Sequence, residues 1–291
     1  MQKNKNRPRM GFTTMKSFAL SLLLLVLLLP LQANAQSVWT SPTHADGFTI
    51  EGYKPNFDRN IDDAFSTSFP SSAWFLNGQY SAHPSLRLGA EIGVSHHGIE
   101  SDVADITARE TAFGNVQLNA EWLTPVDNLS ASLAVRVPTA TDNQGAFTGM
   151  FVDLDRVGAF TPDMWTIKSD INYRHNIGDG LSLRVKGGPL MMIETFDNET
   201  ETEFGARYAV QGWYDAPRVM VGAGINGTSN FSMESIDGID RTSLAVGGSI
   251  IGKFNRYQPG ISLQVPVTSN YMDAVDWVAG VSLRVPLFTG R

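Results

Sequence analysis

From residue 48 onward, apolar and polar residues alternate one by one through short segments divided by turn formers. In the run from Leu86 to Ser95, Leu86, Leu88, Ala90, Ile92 and Val94 are apolar, and the residues between them are small or hydrophilic. A period of two sends these sets to opposite faces of a strand. The pattern predicts strands over Phe48 to Tyr53, Ala73 to Ala82, Ser85 to His96, Phe113 to Leu123, Leu129 to Pro138, Trp165 to Arg174 and Leu181 to Ile193. It continues with Gly205 to Tyr214, Arg218 to Asn226, Thr242 to Asn255, Gly260 to Thr268 and Val275 to Phe288. The first is the weakest. With it the count is even, as in single-chain bacterial barrels.

The connections fall into two classes. His83-Pro84, Thr124 to Asn128, Asn176 to Gly180, Asp215 to Pro217 and Arg256 to Pro259 are short and rich in turn formers. His97 to Ala112, Thr139 to Met164, Glu194 to Phe204, Gly227 to Arg241 and the shorter Ser269 to Ala274 are read as polar loops at the other end. Outward aromatics also sort by end. Trp74, Trp165, Tyr208 and Trp277 lie beside long loops, and Tyr80, Trp122, Tyr173, Tyr214 and Phe254 beside short turns. Two such girdles suit the two interfaces of a bilayer, whereas a soluble β-sandwich has no reason to sort its aromatics this way. The fold expected is all-β: a 12-stranded antiparallel up-and-down transmembrane barrel.

Residues 1–35 read as a cleaved secretory signal. Lys3, Lys5, Arg7, Arg9 and Lys16 precede an apolar run from Phe18 to Leu31, and Ala33-Asn34-Ala35 fits a cleavage site. Pro30 breaks the run before it reaches the length of a membrane-spanning helix. Residues 36–291 are then one barrel domain, exported to the outer membrane. Losing five basic residues takes the formal charge from -7 to -12, which argues against nucleic acid as a partner. With no cysteine, a disulfide framework is excluded.

Residues 113–122, a tight turn, and residues 129–139 together resemble the central hairpin of the outer-membrane proteins linked to meta-pathway phenol degradation. Pro138-Thr139 matches that family's Pro-Thr-Gly at the strand end, with Ala140 in place of the glycine. The resemblance covers most of residues 70–288. It implies a barrel of about this size and passage of small, often aromatic, compounds. Val281 to Phe288 resembles the terminal strand read by the outer-membrane assembly machinery, with Thr289-Gly290-Arg291 beyond it.

Inward parity places Arg87, Arg136, Lys168, Arg174, Arg184, Lys186, Arg207, Lys253 and Arg284 in the lumen, against Glu91, Glu121, Asp170 and Asp276. A surplus of cations in a pore favours anions. The expected function is therefore passive passage of small solutes, anionic or aromatic; a packed interior of paired charges is the other reading. Phe147, Met150, Phe151, Val152, Leu154 and Phe160 make the loop from Thr139 to Met164 more apolar than a solvated tip requires. It is expected either to fold inward as a constriction or to contact the envelope or a partner.

The remaining motifs carry less. Acidic residues gather in the long connections, among them Asp58, Asp62, Asp63, Asp102, Glu194, Glu199, Glu201, Glu203 and Asp237; they serve solvation or divalent cations, but none has calcium-loop spacing. Gly222 to Gly227 satisfies G-x-G-x-x-G with no helix signal behind it, so these glycines are assigned to the barrel wall. His96 and His97, near Ser101 and Asp102, are the only candidates for a rim hydrolase, and sequence proximity alone does not make a catalytic site. No enzyme activity, cofactor or metal is expected. The partners expected are outer-membrane lipid, the assembly machinery and a small solute.

Overall fold

The computed structural model describes residues 37–40, 46–57, 66–67, 71–101, 106–196, 199–232, 241–268 and 275–287. The expected signal segment, Phe288 and the connection at 269–274 lie outside them. The barrel strands are β1 (Gly47–Phe57), β2 (Ser72–His83), β3 (Leu86–Ser101), β4 in two segments (Ile106–Phe113 and Val116–Leu123), β5 (Leu129–Val137) and β6 (Met164–Gly178). They continue with β7 (Leu181–Phe196), β8 (Glu199–Asp215), β9 (Val219–Asn230), β10 (Thr242–Gly252), β11 (Gln258–Pro266) and β12 (Val275–Pro286). A two-residue segment, Ser66–Thr67, adds to the far end of β3.

Each strand pairs antiparallel with its neighbours in sequence, and β1 pairs with both β2 and β12. The sheet therefore closes on itself as twelve strands with no free edge between the first and the last. Closure lets each strand pair with a neighbour on both sides, as a bilayer would demand of a spanning sheet. The weak first segment is thus a full strand, and the seam it forms with β12 runs from Gly47 opposite Pro286 to Phe57 opposite Val275.

The alternation read from the sequence is the in-out alternation of the wall. Phe48, Ile50, Leu76, Leu88, Ile92, Leu118, Ile171, Ile250 and Val281 are exposed on the outside, while Thr49, Glu51, Asn77, Glu91, Gln117, Glu121 and Gln211 are buried inside. Trp74, Trp165 and Trp277 stand outward toward the end with long connections, and Tyr80, Trp122, Tyr173, Tyr214 and Phe254 toward the short turns. No helix among the described residues is long and apolar enough to cross a membrane.

Three loop assignments change. Strands β3 and β4 extend through His97–Ser101 and Ile106–Ala112, β7 and β8 through Glu194–Phe196 and Glu199–Phe204, and β9 through Asn230. Glu201 lies across from Glu194 in this extended hairpin, so the acidic run there is strand rather than loop. The glycine run at 222–227 lies within β9 with no helix after it. A Cβ at Gly224 would stand 2.2 Å from the Val210 carbonyl oxygen, so the small residues there permit close strand approach.

Among the described residues, the connection at 138–163 leaves the wall. It carries helix α1 (Ala146–Met150) and a 3-10 turn, Leu154–Arg156, and packs Val152, Ala159 and Phe160 out of solvent. Phe160 lies edge-on to Phe75 of β2, 5.6 Å between ring centroids. A Cβ at Gly93 of β3 would stand 2.7 Å from the Phe160 ring, so this wall glycine makes the room the loop occupies.

Candidate functional site

Asn115 sits in the break between the two segments of β4, fully buried. Its side-chain oxygen accepts from the backbone N–H of Thr139 (2.6 Å) and Ala140 (2.7 Å), where the inward loop starts. Its amide nitrogen donates to the carbonyls of Gly158 (2.8 Å) and Thr161 (2.7 Å), where the loop returns. One side chain thus clamps both ends of the loop. Gly158, at a φ of +74°, gives the return the left-handed backbone that a side chain disfavours.

The clamp delivers the 3-10 turn across the interior. Arg156 donates to Glu51 of β1 (2.8 Å), Glu91 of β3 (2.9 Å) and Asp153 (3.1 Å), with its guanidinium 4.0 Å from the centre of the Phe75 ring. Glu51 also accepts from the Tyr53 hydroxyl (2.6 Å) and the Asn77 amide (3.2 Å). Adjacent Asp155 faces the opposite wall. Its carboxylate accepts from Lys186 of β7 (3.0 Å) and Arg207 of β8 (2.7 Å), and its backbone carbonyl from Lys168 of β6 (3.2 Å) and again Arg207 (2.8 Å). Thr228 of β9 donates to the Leu154 carbonyl (3.3 Å). The turn is therefore bound to six strands on both sides of the lumen. Burial pushes the Asp155 carboxyl up, but Lys186, Arg207 and Lys168 together hold it below the usual carboxylate range.

Register explains the wall pairs. Glu91, Gln117 and Arg136 are successive cross-strand partners on β3, β4 and β5, and Arg136 donates to Glu91 (2.7 Å) and Gln117 (2.8 Å). Nearer the short turns, Arg87 lies opposite Glu121 and pairs with it at 3.0 Å. Asp170 pairs with Arg207 and, at 3.8 Å, with Lys186. Arg184 donates to the Asn172 side-chain oxygen (2.8 Å), and Arg284 is buried on β12.

Of the thirteen luminal candidates, ten are buried inside the wall. Arg174 is half-buried toward the short-turn end and donates to Ser182 (3.1 Å). Lys253 follows the last residue of β10, half-buried at the rim, where it pairs with Asp215. Asp276 departs from the simple alternation. A bulge at Asn56 and Phe57 shifts the β1–β12 register, so Val275 and Val278 are buried while Asp276 is exposed and accepts from Asn56 (2.8 Å).

Sequence reading missed Glu51, because the first strand was the weakest signal, and Asp153, Asp155, Arg156 and Asn115, which act through tertiary contact. It also gave no hint that residues 37–40 lie inside. Val38 and Trp39 bury against Ala209 of β8, and the Val38 carbonyl accepts from Gln211 (2.7 Å). Among the described residues, the buried cations of the wall are Arg87, Arg136, Lys168, Arg184, Lys186, Arg207 and Arg284, against Glu51, Glu91, Glu121 and Asp170. Seven against four leaves the wall positive, the loop's own charges aside.

The histidines do not assemble a hydrolytic site among the described residues. The hydroxyl at His96 is that of Thr111 (3.0 Å) and the one at His97 that of Thr148 (2.8 Å), while Asp102 lies outside the described residues. Nor do the described residues group three or more His, Asp or Glu side chains around a metal position.

No family model matches the chain, and no curated protein matches its sequence. Solved structures do. An outer-membrane channel from Pseudomonas putida F1 aligns over 87% of this chain and all of its own, at 14% identity and a TM-score of 0.54. The β domain of the Bordetella autotransporter BrkA covers 84% of this chain and all of its own, at 11% identity and 0.52. The translocator domain of the autotransporter NalP from Neisseria meningitidis covers 94% of this chain and 97% of its own, at 8% identity and 0.51. The chain shares their closed-barrel fold.

Proposed function

We propose that this protein is an outer-membrane channel or facilitator for passive passage of small solutes, anionic or aromatic, with the segment at 138–163 as its closure. The observation that carries this reading is how the lumen is filled. A packed barrel core fills with wall side chains; here the centre is occupied by a polar turn at the end of a connection, held by ion pairs and by one asparagine at its root. Such a segment leaves without breaking a strand pairing of the wall, and what remains, beside residues 37–40 packed against β8, is a net-positive passage. Charged rings of this sign favour anions. The resemblance of residues 113–139 to barrels linked to phenol degradation supports aromatic compounds as the solutes. The outward apolar band and the two aromatic girdles support a bilayer location, reached by export through the amino-terminal signal and insertion by the assembly machinery.

A second reading, a structural or adhesive barrel, is favoured by Phe147 and Met150, which α1 leaves exposed at the long-connection end. Planar-bilayer recordings separate the two. Replacing Ala146 to Phe160 with a short Gly-Ser linker is expected to raise conductance severalfold. A barrel that stays silent after this replacement, while still migrating as a folded band in an unboiled gel sample, is not a channel.

A further inference from the structure

Asp155 and Arg156 are neighbours in sequence, yet they answer opposite walls. Arg156 meets the carboxylates of β1 and β3, and Asp155 meets the cations of β6, β7 and β8. The basic side carries more charge than the wall balances: Lys186 and Arg207 share one wall carboxylate, Asp170, within ion-pair reach, and Lys168 beside them donates to the Asp155 carbonyl of the loop. All three are at least nine-tenths buried, and a buried charge is costly unless it is paired. When the loop is in, Asp155 supplies the balancing anion in a two-pronged arrangement, one oxygen on Lys186 and the other on Arg207. That is the geometry in which a guanidinium and an ammonium take a free carboxylate. Opposite it stand the rings of Tyr53 and Phe75, 6.1 Å apart, which Arg156 covers while docked.

We propose that Lys168, Lys186 and Arg207 form a luminal binding site for small carboxylates, and that Asp155 is a tethered stand-in for the solute. The inference rests on the channel reading and sharpens it: the solute carries a carboxylate that displaces the chain's own, and the aromatic wall receives the rest of the molecule once Arg156 swings away. The site selects for the group that opens it. A neutral aromatic of the same size has nothing to exchange with Asp155.

The test uses the full-length, refolded protein in detergent, with benzoate as probe and benzyl alcohol as the neutral control. Titration calorimetry is expected to show Asp155→Ala binding benzoate at least tenfold more tightly than the parent, with benzyl alcohol giving no saturable heat. Asp155→Asn, which keeps the side chain's volume, guards against a folding artefact and should fall between the two. Adding Lys186→Met to Asp155→Ala should cost at least tenfold in benzoate affinity. Folded Asp155→Ala that binds benzoate no better than the parent, or no better than benzyl alcohol, overturns the proposal, as does undiminished binding in the double variant. Bilayer conductance is read separately on the same samples. Benzoate binding without conductance upholds the site and sinks the channel; conductance without benzoate binding does the reverse.

Discussion

At the scale of single residues, Arg156 and Asn115 carry most of what distinguishes this interior from a plain filled barrel. Removing one partner of a buried ion pair costs about 3–5 kcal/mol, because the other charge stays buried alone. Arg156→Ala leaves Glu51, Glu91 and Asp153 without the cation they share, and the cheapest relief is for the turn to withdraw into water. The expected result is a rise in single-channel conductance with unchanged heat-modifiable migration. Asn115→Ala deletes four hydrogen bonds to the loop's backbone, each worth roughly 0.5–1.5 kcal/mol net. Limited trypsin digestion reads that change: the bond after Arg156 should resist cleavage in the parent and be cut in the variant. Glu91, Arg136 and their neighbours were legible one residue at a time, since strand parity fixes which way a side chain points. Arg156 was not, because nothing local in a connection tells a basic residue which carboxylates it will meet.

At the scale of elements, the twelve strands were readable wherever the outer face is apolar and the inner face polar, because that contrast is what produces alternation. Where a hairpin rises past the apolar band, both faces meet water and the contrast disappears. This is why Glu199 to Glu203, an alternation of Glu with the strand-favouring Thr, looked like a loop and is β8. The lipid face has its own test. Ile171, midway along β6 and 63% exposed outward, should destabilise the barrel by about 2–4 kcal/mol when changed to Arg, as a charge at mid-bilayer depth does. Urea titration of the protein folded into lipid vesicles measures it. A shift within error of zero would mean that the outer face of β6 does not meet hydrocarbon.

At the scale of the whole molecule, the chain is acidic and its inner wall is basic. Among the described residues, seven buried wall cations against four carboxylates make the inner wall positive, and the loop removes part of that surplus by bringing in Asp153 and Asp155 with only Arg156. Reversal potentials in a KCl gradient should therefore report anion preference, stronger with the loop replaced than with it present. Cation preference in the loop-replaced protein would contradict the luminal charge assignment. The sequence alone determined the closed antiparallel barrel, its strand order, its apolar outer face and the sign of its inner wall, because each follows from a period of two and from where turns interrupt it. Only the tertiary structure decided that the longest connection turns inward, that Asn115 anchors it and that Asp155 and Arg156 bridge the lumen. Those contacts join residues far apart in the chain, and closing the barrel is what brings them within hydrogen-bond reach.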